Sequence, residues 1–119
     1  MSQHAKAGTT WVARHIEEVV PVRSLCGSST RVLTAQDNPT ASIHITHIRD
    51  SEKHFHRQVS EFYYVLEGSG FLELDEENIQ LRPGLAVYIP PGVRHRGKGD
   101  FTAAIFCVPP FREEDSHPA

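Results

Sequence analysis

The chain has 119 residues, 39% of them hydrophobic and 23% charged, with 12 Lys and Arg against 15 Asp and Glu for a net charge of −3. That length suits one domain, the composition excludes a disordered or collagen-like chain, and the slight acidic balance leaves no basic field to hold nucleic-acid phosphates. No apolar run reaches the ~18 residues of a spanning helix, and "MSQHAKAGTT" lacks the basic and apolar stretches of a secretory signal, so a soluble cytoplasmic protein without nucleic-acid or membrane partners is expected.

Residues 1–11 show no periodicity and are expected to be loosely ordered, as part of an N-terminal arm over 1–22. "WVARHIEEVVPV" allows a helical turn or two before Pro21 stops it, and an extended arm or strand is expected around 16–25. "LCGSST" reads as turn material, and "RVLTAQD" as a short strand ended by Asn38-Pro39. From there the chain is written in strands: "ASIHITHIR", "EFYYVLEG", "GFLELDE", "NIQLRPG", "LAVYIPPG" and "FTAAIFCVPP", each bounded by Gly, Pro, Asp or Asn. Regular short strands with almost no helix predict an all-β sandwich or barrel over 23–112. The polar "FREEDSHPA" suggests a flexible tail over 113–119.

Eight histidines are many for this length. In "SIHITHI", His44 alternates with Ile43 and Ile45, so its parity sends it to the opposite face, whereas His47 shares the isoleucines' parity and is expected to point inward, either as a hydrogen-bonded core histidine or as a general base or hydrogen-bond donor. Cys26 and Cys107 stand in no CxxC arrangement. Cys107, in "TAAIFCV", reads as a small buried hydrophobe, and no disulfide is expected.

The stretch "HFHRQVSE" carries the chemistry. His54 and His56 sit two apart on a strand and project side by side, about 7 Å apart at Cα. Glu61, after a short bend, opens the next strand and can return its carboxylate to the same face. Further on, "GLAVYIPPGVRH" turns sharply at Pro90-Pro91-Gly92 and delivers His95. Three imidazoles and a carboxylate on one point suit Fe, Mn, Ni, Zn, Co or Cu rather than the all-oxygen sites of Ca or Mg. Tyr63 shares the parity of Glu61 and is either a pocket residue or a core aromatic. Arg94, Arg96 and Lys98 form either a cationic rim or a solvated loop, and Tyr88 and Phe106 face either a cavity or a partner chain.

These two stretches resemble the cupin superfamily. His54-Phe55-His56, four residues, Glu61, six residues and Gly68 match its first motif. Gly84, five residues, Pro90-Pro91-Gly92, two residues and His95 match its second. Ile48 and Gly99 stand where the family often has glycine and asparagine. The resemblance implies a double-stranded β-helix, the jelly-roll barrel of a small single-domain cupin, commonly a homodimer. It also implies one divalent transition metal ion per chain, held by His54, His56, Glu61 and His95. For function it leaves three readings open: a metal-dependent enzyme on a small oxygenated molecule, with dioxygenase chemistry ahead of sugar or carbonyl isomerase or epimerase chemistry; a non-catalytic module for a small ligand; and a metal site that serves stability alone. His47 and Tyr63 are the catalytic candidates.

Overall fold

The computed structural model describes residues 3, 4 and 11–119. The expected looseness of residues 1–11 lies almost wholly outside these. The strands are β1 (Gln3–His4), β2 (Val12–Ala13), β3 (Val22–Ser24), β4 (Gly27–Leu33), β5 (Ser42–Ile48), β6 (His54–His56), β7 (Ser60–Leu74), β8 (Glu77–Leu81), β9 (Ala86–Ile89), β10 (His95–Val108) and β11 (Ser116–Pro118). Short 3₁₀ turns cover Ile16–Glu18 and Glu113–Asp115. β1 pairs with β2, and the other nine strands form one antiparallel sheet whose main path is β11-β6-β10-β5-β4-β3, with β7 joining β10 to β8 and β9.

The long pair β7 and β10 is the frame of the barrel. Glu61 stands opposite Cys107 at one end of the pair, and His95 stands opposite Leu74 at the other. From residue 95 to residue 107 a straight strand would run about 40 Å. Yet Glu61 Oε1 and His95 Nε2 lie 3.0 Å apart, so the pair must roll over on itself. The sequence allows this at its middle. Gly68 has φ +89, and a Cβ there would run into the Asp100 carbonyl oxygen, so only glycine lets the two backbones cross so closely. Beside it, Thr102 pairs with Glu67 and Ala103 with Val65, leaving Leu66 as an extra residue. Such a bulge sharpens the local twist.

Alternation along β7 separates two faces. Tyr63 and Val65 are fully buried, while Phe62, Tyr64 and Leu66 are exposed. Tyr63, Val65, Leu72, Phe101 and Ile105 form the core cluster with Ile48 of β5 and Ile89 of β9. Burying these side chains supplies the main drive for rolling the sheet, at roughly 1.5–3 kcal/mol for each large apolar side chain.

Three expectations are corrected. On β5 the inward set is Ser42, His44, Thr46 and Ile48, so His44 is buried and His47 is exposed. The isoleucines misled because Ile43 and Ile45 cover an outer face that is itself apolar. The tail does not fray: Ser116–Pro118 pair with His56–His54 of β6. Its anchor is the Asp115 carboxylate, which accepts from the backbone N–H groups of Arg57, Gln58 and Val59 at 2.9–3.1 Å. Finally, the segment around 16–25 is not one strand but a 3₁₀ turn followed by β3. No helix among the described residues is long and apolar enough to cross a membrane.

Candidate metal centre

His54 and His56 reach one side of β6, and the backbone pairing of His54 with His95 sets the third ring beside them on β10. The turn that delivers His95 is stitched to the first motif: Gly92 N–H donates to His56 O at 2.7 Å. One ring nitrogen from each histidine lies within 4.8 Å of the others. All three rings and Glu61 are at most 4% exposed.

The orientation of the rings is fixed from behind. Nδ1–H of His54 donates to Glu52 O at 2.7 Å, that of His56 to Asp115 O at 3.0 Å, and that of His95 to Val93 O at 2.9 Å. A carbonyl can only accept, so each ring carries its proton on Nδ1 and turns the Nε2 lone pair inward. Glu61 Oε1 faces His56 Nε2 at 3.1 Å and His95 Nε2 at 3.0 Å. None of these three buried atoms has a hydrogen-bond partner. Lone pairs that converge without protons between them repel, unless a ring is protonated or a cation stands among them. That donor set fits a divalent transition metal.

Electrostatics keep the His54 ring neutral and the Glu61 carboxyl charged, and they favour a proton on His56 while no cation stands among the donors. Burial, with the charge of His95, pushes His54 down to about 4. Burial also pushes the Glu61 carboxyl up, but His56 and His95 outweigh it and hold the group well below the usual carboxylate range. For His56 burial acts downward, and the Glu61 carboxylate more than reverses it.

Tyr63 lies beside this cluster in the core, its hydroxyl 3.9 Å from Cys26 Sγ. Burial holds its phenol well above the normal range, so it stays protonated. His47 is not brought to the cluster. It sits on the outer surface with Nε2 2.6 Å from Asp100 Oδ1. Arg96 pairs with Glu73 and Arg94 lies over the Phe55 ring.

A cavity of about 30 Å³ adjoins the cluster, lined by His54, His56, Glu61, His44, Cys26 and Arg31, among others. That space holds one or two water-sized groups. Arg31 and Phe111 also line two depressions on the surface beside it, where the Arg31 guanidinium lies 5.1 Å over the Phe111 ring and contacts Glu113 at 3.3 Å. Buried Arg31 Nε has no hydrogen-bond partner. Burial, aided by Arg31, lowers His44 to about 4, keeping its imidazole neutral. Reading from sequence missed His44, Arg31 and Cys26. The even parity of β5 carried the signal for His44; nothing local marked the other two.

A rolled antiparallel sheet with inward imidazoles from two motifs defines a cupin barrel, and the family comparison agrees. The Cupin domain family model matches residues 44–109, more than half of the chain, and the protein belongs to that family. A solved structure of a protein from Planctomyces limnophilus is 32% identical, with a TM-score of 0.82 over 87% of this chain and 92% of that one. Pac13, a nucleoside dehydratase of Streptomyces, shares the fold at 21% identity, with a TM-score of 0.79 over 89% of this chain and 88% of its own. The uncharacterized protein MJ1618 of Methanocaldococcus jannaschii is 37% identical over 67 residues, 53% of this chain. The match spans about half the length of that curated relative, 54%.

Proposed function

We propose that the protein is a metal-dependent enzyme that binds one divalent transition metal ion per chain through His54, His56, Glu61 and His95 and acts on a small oxygenated molecule. The observation that carries this reading is the set of buried, converging, unpartnered atoms: His56 Nε2, His95 Nε2 and Glu61 Oε1. A bound ion of this kind supplies Lewis acidity toward a substrate oxygen and, if iron, access to O₂ chemistry. Four protein donors leave two positions of six, which supports dioxygenase chemistry ahead of isomerase or epimerase chemistry.

The surrounding residues have parts to play in either. Arg31 Nε–H, buried without a partner at the cavity, favours a substrate with an acceptor oxygen, best a carboxylate. His44, kept neutral by burial and by Arg31, would line the cavity wall as a hydrogen-bonding group rather than as a strong base. Tyr63, whose phenol burial keeps protonated, would serve as a hydrogen-bond donor rather than ionise. The cavity, about 30 Å³, has room for one or two water-sized groups, so only a small part of a substrate would enter it. Two unpaired cysteines favour a reducing, cytoplasmic setting, and an exposed aromatic face on the barrel supports a homodimer.

Elemental analysis tests the reading. The wild-type protein is expected to carry one equivalent of transition metal per chain, and the double variant His54→Ala/His95→Ala, with its β-sheet circular dichroism preserved, is expected to carry none. Stoichiometric metal in the double variant would remove the proposed ligand set.

A further inference from the structure

We propose that Cys26 is a further protein ligand of this centre, binding the ion through its thiolate next to His54. The inference rests on the metal-binding reading above and adds a donor that neither motif contains.

Cys26 Sγ lies 3.5 Å from His54 Nε2. That nitrogen is the one whose lone pair is turned inward, because Nδ1 is committed to Glu52 O. Metal–thiolate bonds are about 2.3 Å long and metal–imidazole bonds about 2.0–2.1 Å. A sulfur and a nitrogen bound side by side to one ion therefore stand roughly 3.1–3.6 Å apart, for bond angles between the octahedral and tetrahedral values. The observed separation falls in that range, at its tetrahedral end, and a six-coordinate ion would need the sulfur to close in by a few tenths of an ångström. Nor does the thiol stand alone: Glu61 and His56, whose buried Oε1 and Nε2 lack partners, line the same cavity as Cys26, and ligation would draw Sγ in toward the three ring nitrogens that already lie within 4.8 Å of one another.

The fold holds this thiol in place with some care. Cys26 belongs to the two-residue turn Leu25-Cys26 that joins β3 to β4. Gly27, at φ +137, closes the turn against the His47 carbonyl, where any Cβ would overlap it. Glu52 then ties turn and ligand together: its N–H donates to Leu25 O at 3.2 Å, and its carbonyl receives His54 Nδ1–H at 2.7 Å. One residue thus orients the cysteine's turn and the neighbouring imidazole. In the metal-free protein the S–H can only offer a weak hydrogen bond to the Nε2 lone pair. On metal binding its proton leaves to solvent and the sulfur lone pair takes up the new bond.

A fifth donor changes what the centre can do. Five protein ligands leave one position of six, enough for a single substrate oxygen. Dioxygenase chemistry, which needs two neighbouring positions, then requires the thiolate to leave, whereas polarising one carbonyl does not. A soft sulfur donor also favours Fe, Co, Zn or Cu over Mn.

The test uses Co²⁺ as probe, titrated into the metal-free full-length protein. Wild type is expected to take one equivalent and develop an intense near-ultraviolet band from thiolate-to-cobalt charge transfer. Cys26→Ser is expected to bind Co²⁺ and lose that band, while Cys107→Ser keeps it, because the buried Cys107 thiol instead meets Glu61 Oε2 at 3.8 Å. One equivalent bound without the band, or a band that survives in Cys26→Ser, overturns the assignment and leaves the metal-binding reading standing. No cobalt bound by wild type overturns both. A second measurement needs no variant: Zn²⁺ is expected to shield Cys26 from a thiol-alkylating reagent, read by peptide mass spectrometry, and equal labelling of Cys26 with and without Zn²⁺ counts against ligation.

Discussion

Asp37 fastens the N-terminal segment to the barrel. Arg14 reaches it with both terminal nitrogens, at 2.7 and 3.0 Å, and spends Nη1 also on Val32 O at 2.9 Å. The same carboxylate accepts from Thr34 N–H at 2.8 Å. Both side chains are under one-fifth exposed, so this bidentate pair is screened less than a surface ion pair. The Arg14 hydrogen bonds hold the Asp37 carboxyl below its usual range against the opposing effect of burial. A carboxyl whose folded pKa is depressed binds fewer protons when folded, so it stabilises the fold above its unfolded value of about 3.9 and loses that contribution as pH falls through the lower folded value. Asp37→Asn is expected to cost roughly 1–3 kcal/mol at pH 7 in urea unfolding. The gap between wild type and variant should shrink below about pH 4. An equal gap at pH 7 and pH 3 would show that the ionic part of the bond contributes nothing.

At the level of elements, the crossing of β7 and β10 decides whether the ligands meet at all. Gly68→Ala meets two costs together, a positive φ of +89 and an overlap with the Asp100 carbonyl oxygen. Gly92→Ala meets only the first, since its φ of +91 faces open space. The expected losses are about 3 kcal/mol or more for the former and about 1–2 kcal/mol for the latter, compared by denaturant midpoints at equal m-value. Equal losses would mean that the crossing is looser than the contact distances imply. The same elements explain what was legible in advance. Strand parity puts His54 beside His56, and turn glycines mark where the chain reverses, so the strands, the barrel and the inward histidines of both motifs could be read locally. Parity alone, however, does not say which face is inside. An apolar outer surface made Ile43 and Ile45 look like core and exchanged the roles of His44 and His47. Contacts across long sequence separations left no local mark either. The Leu25-Cys26 turn read as ordinary punctuation, Arg31 as one strand residue among others, and Asp115 as part of a polar tail. Each takes its place from backbone groups or rings some 28 to 80 residues away.

At the scale of the whole molecule, the outer face that misled the parity argument has a consequence for assembly. Ile43, Phe106, Phe62 and Tyr88 are successive cross-strand partners on β5, β10, β7 and β9, with the Phe62 and Tyr88 rings 5.0 Å apart. Phe62, Tyr64, Tyr88, Phe106 and Val108 are each 38–55% exposed, and no Asp, Glu, Lys or Arg interrupts this row. An aromatic face this continuous is costly to leave in water. A second copy, related by a two-fold axis, would cover it with the same surface, sheet packed on sheet at about 10 Å. Light scattering on a sizing column is therefore expected to give the mass of two 13.3 kDa chains. Phe106→Asp, in the middle of the row and outside the barrel, is expected to give one chain while metal content per chain is unchanged. A dimer that persists in Phe106→Asp would place the contact elsewhere. Metal lost together with the dimer would mean that the centre depends on the partner chain, which would move the functional unit from one barrel to two.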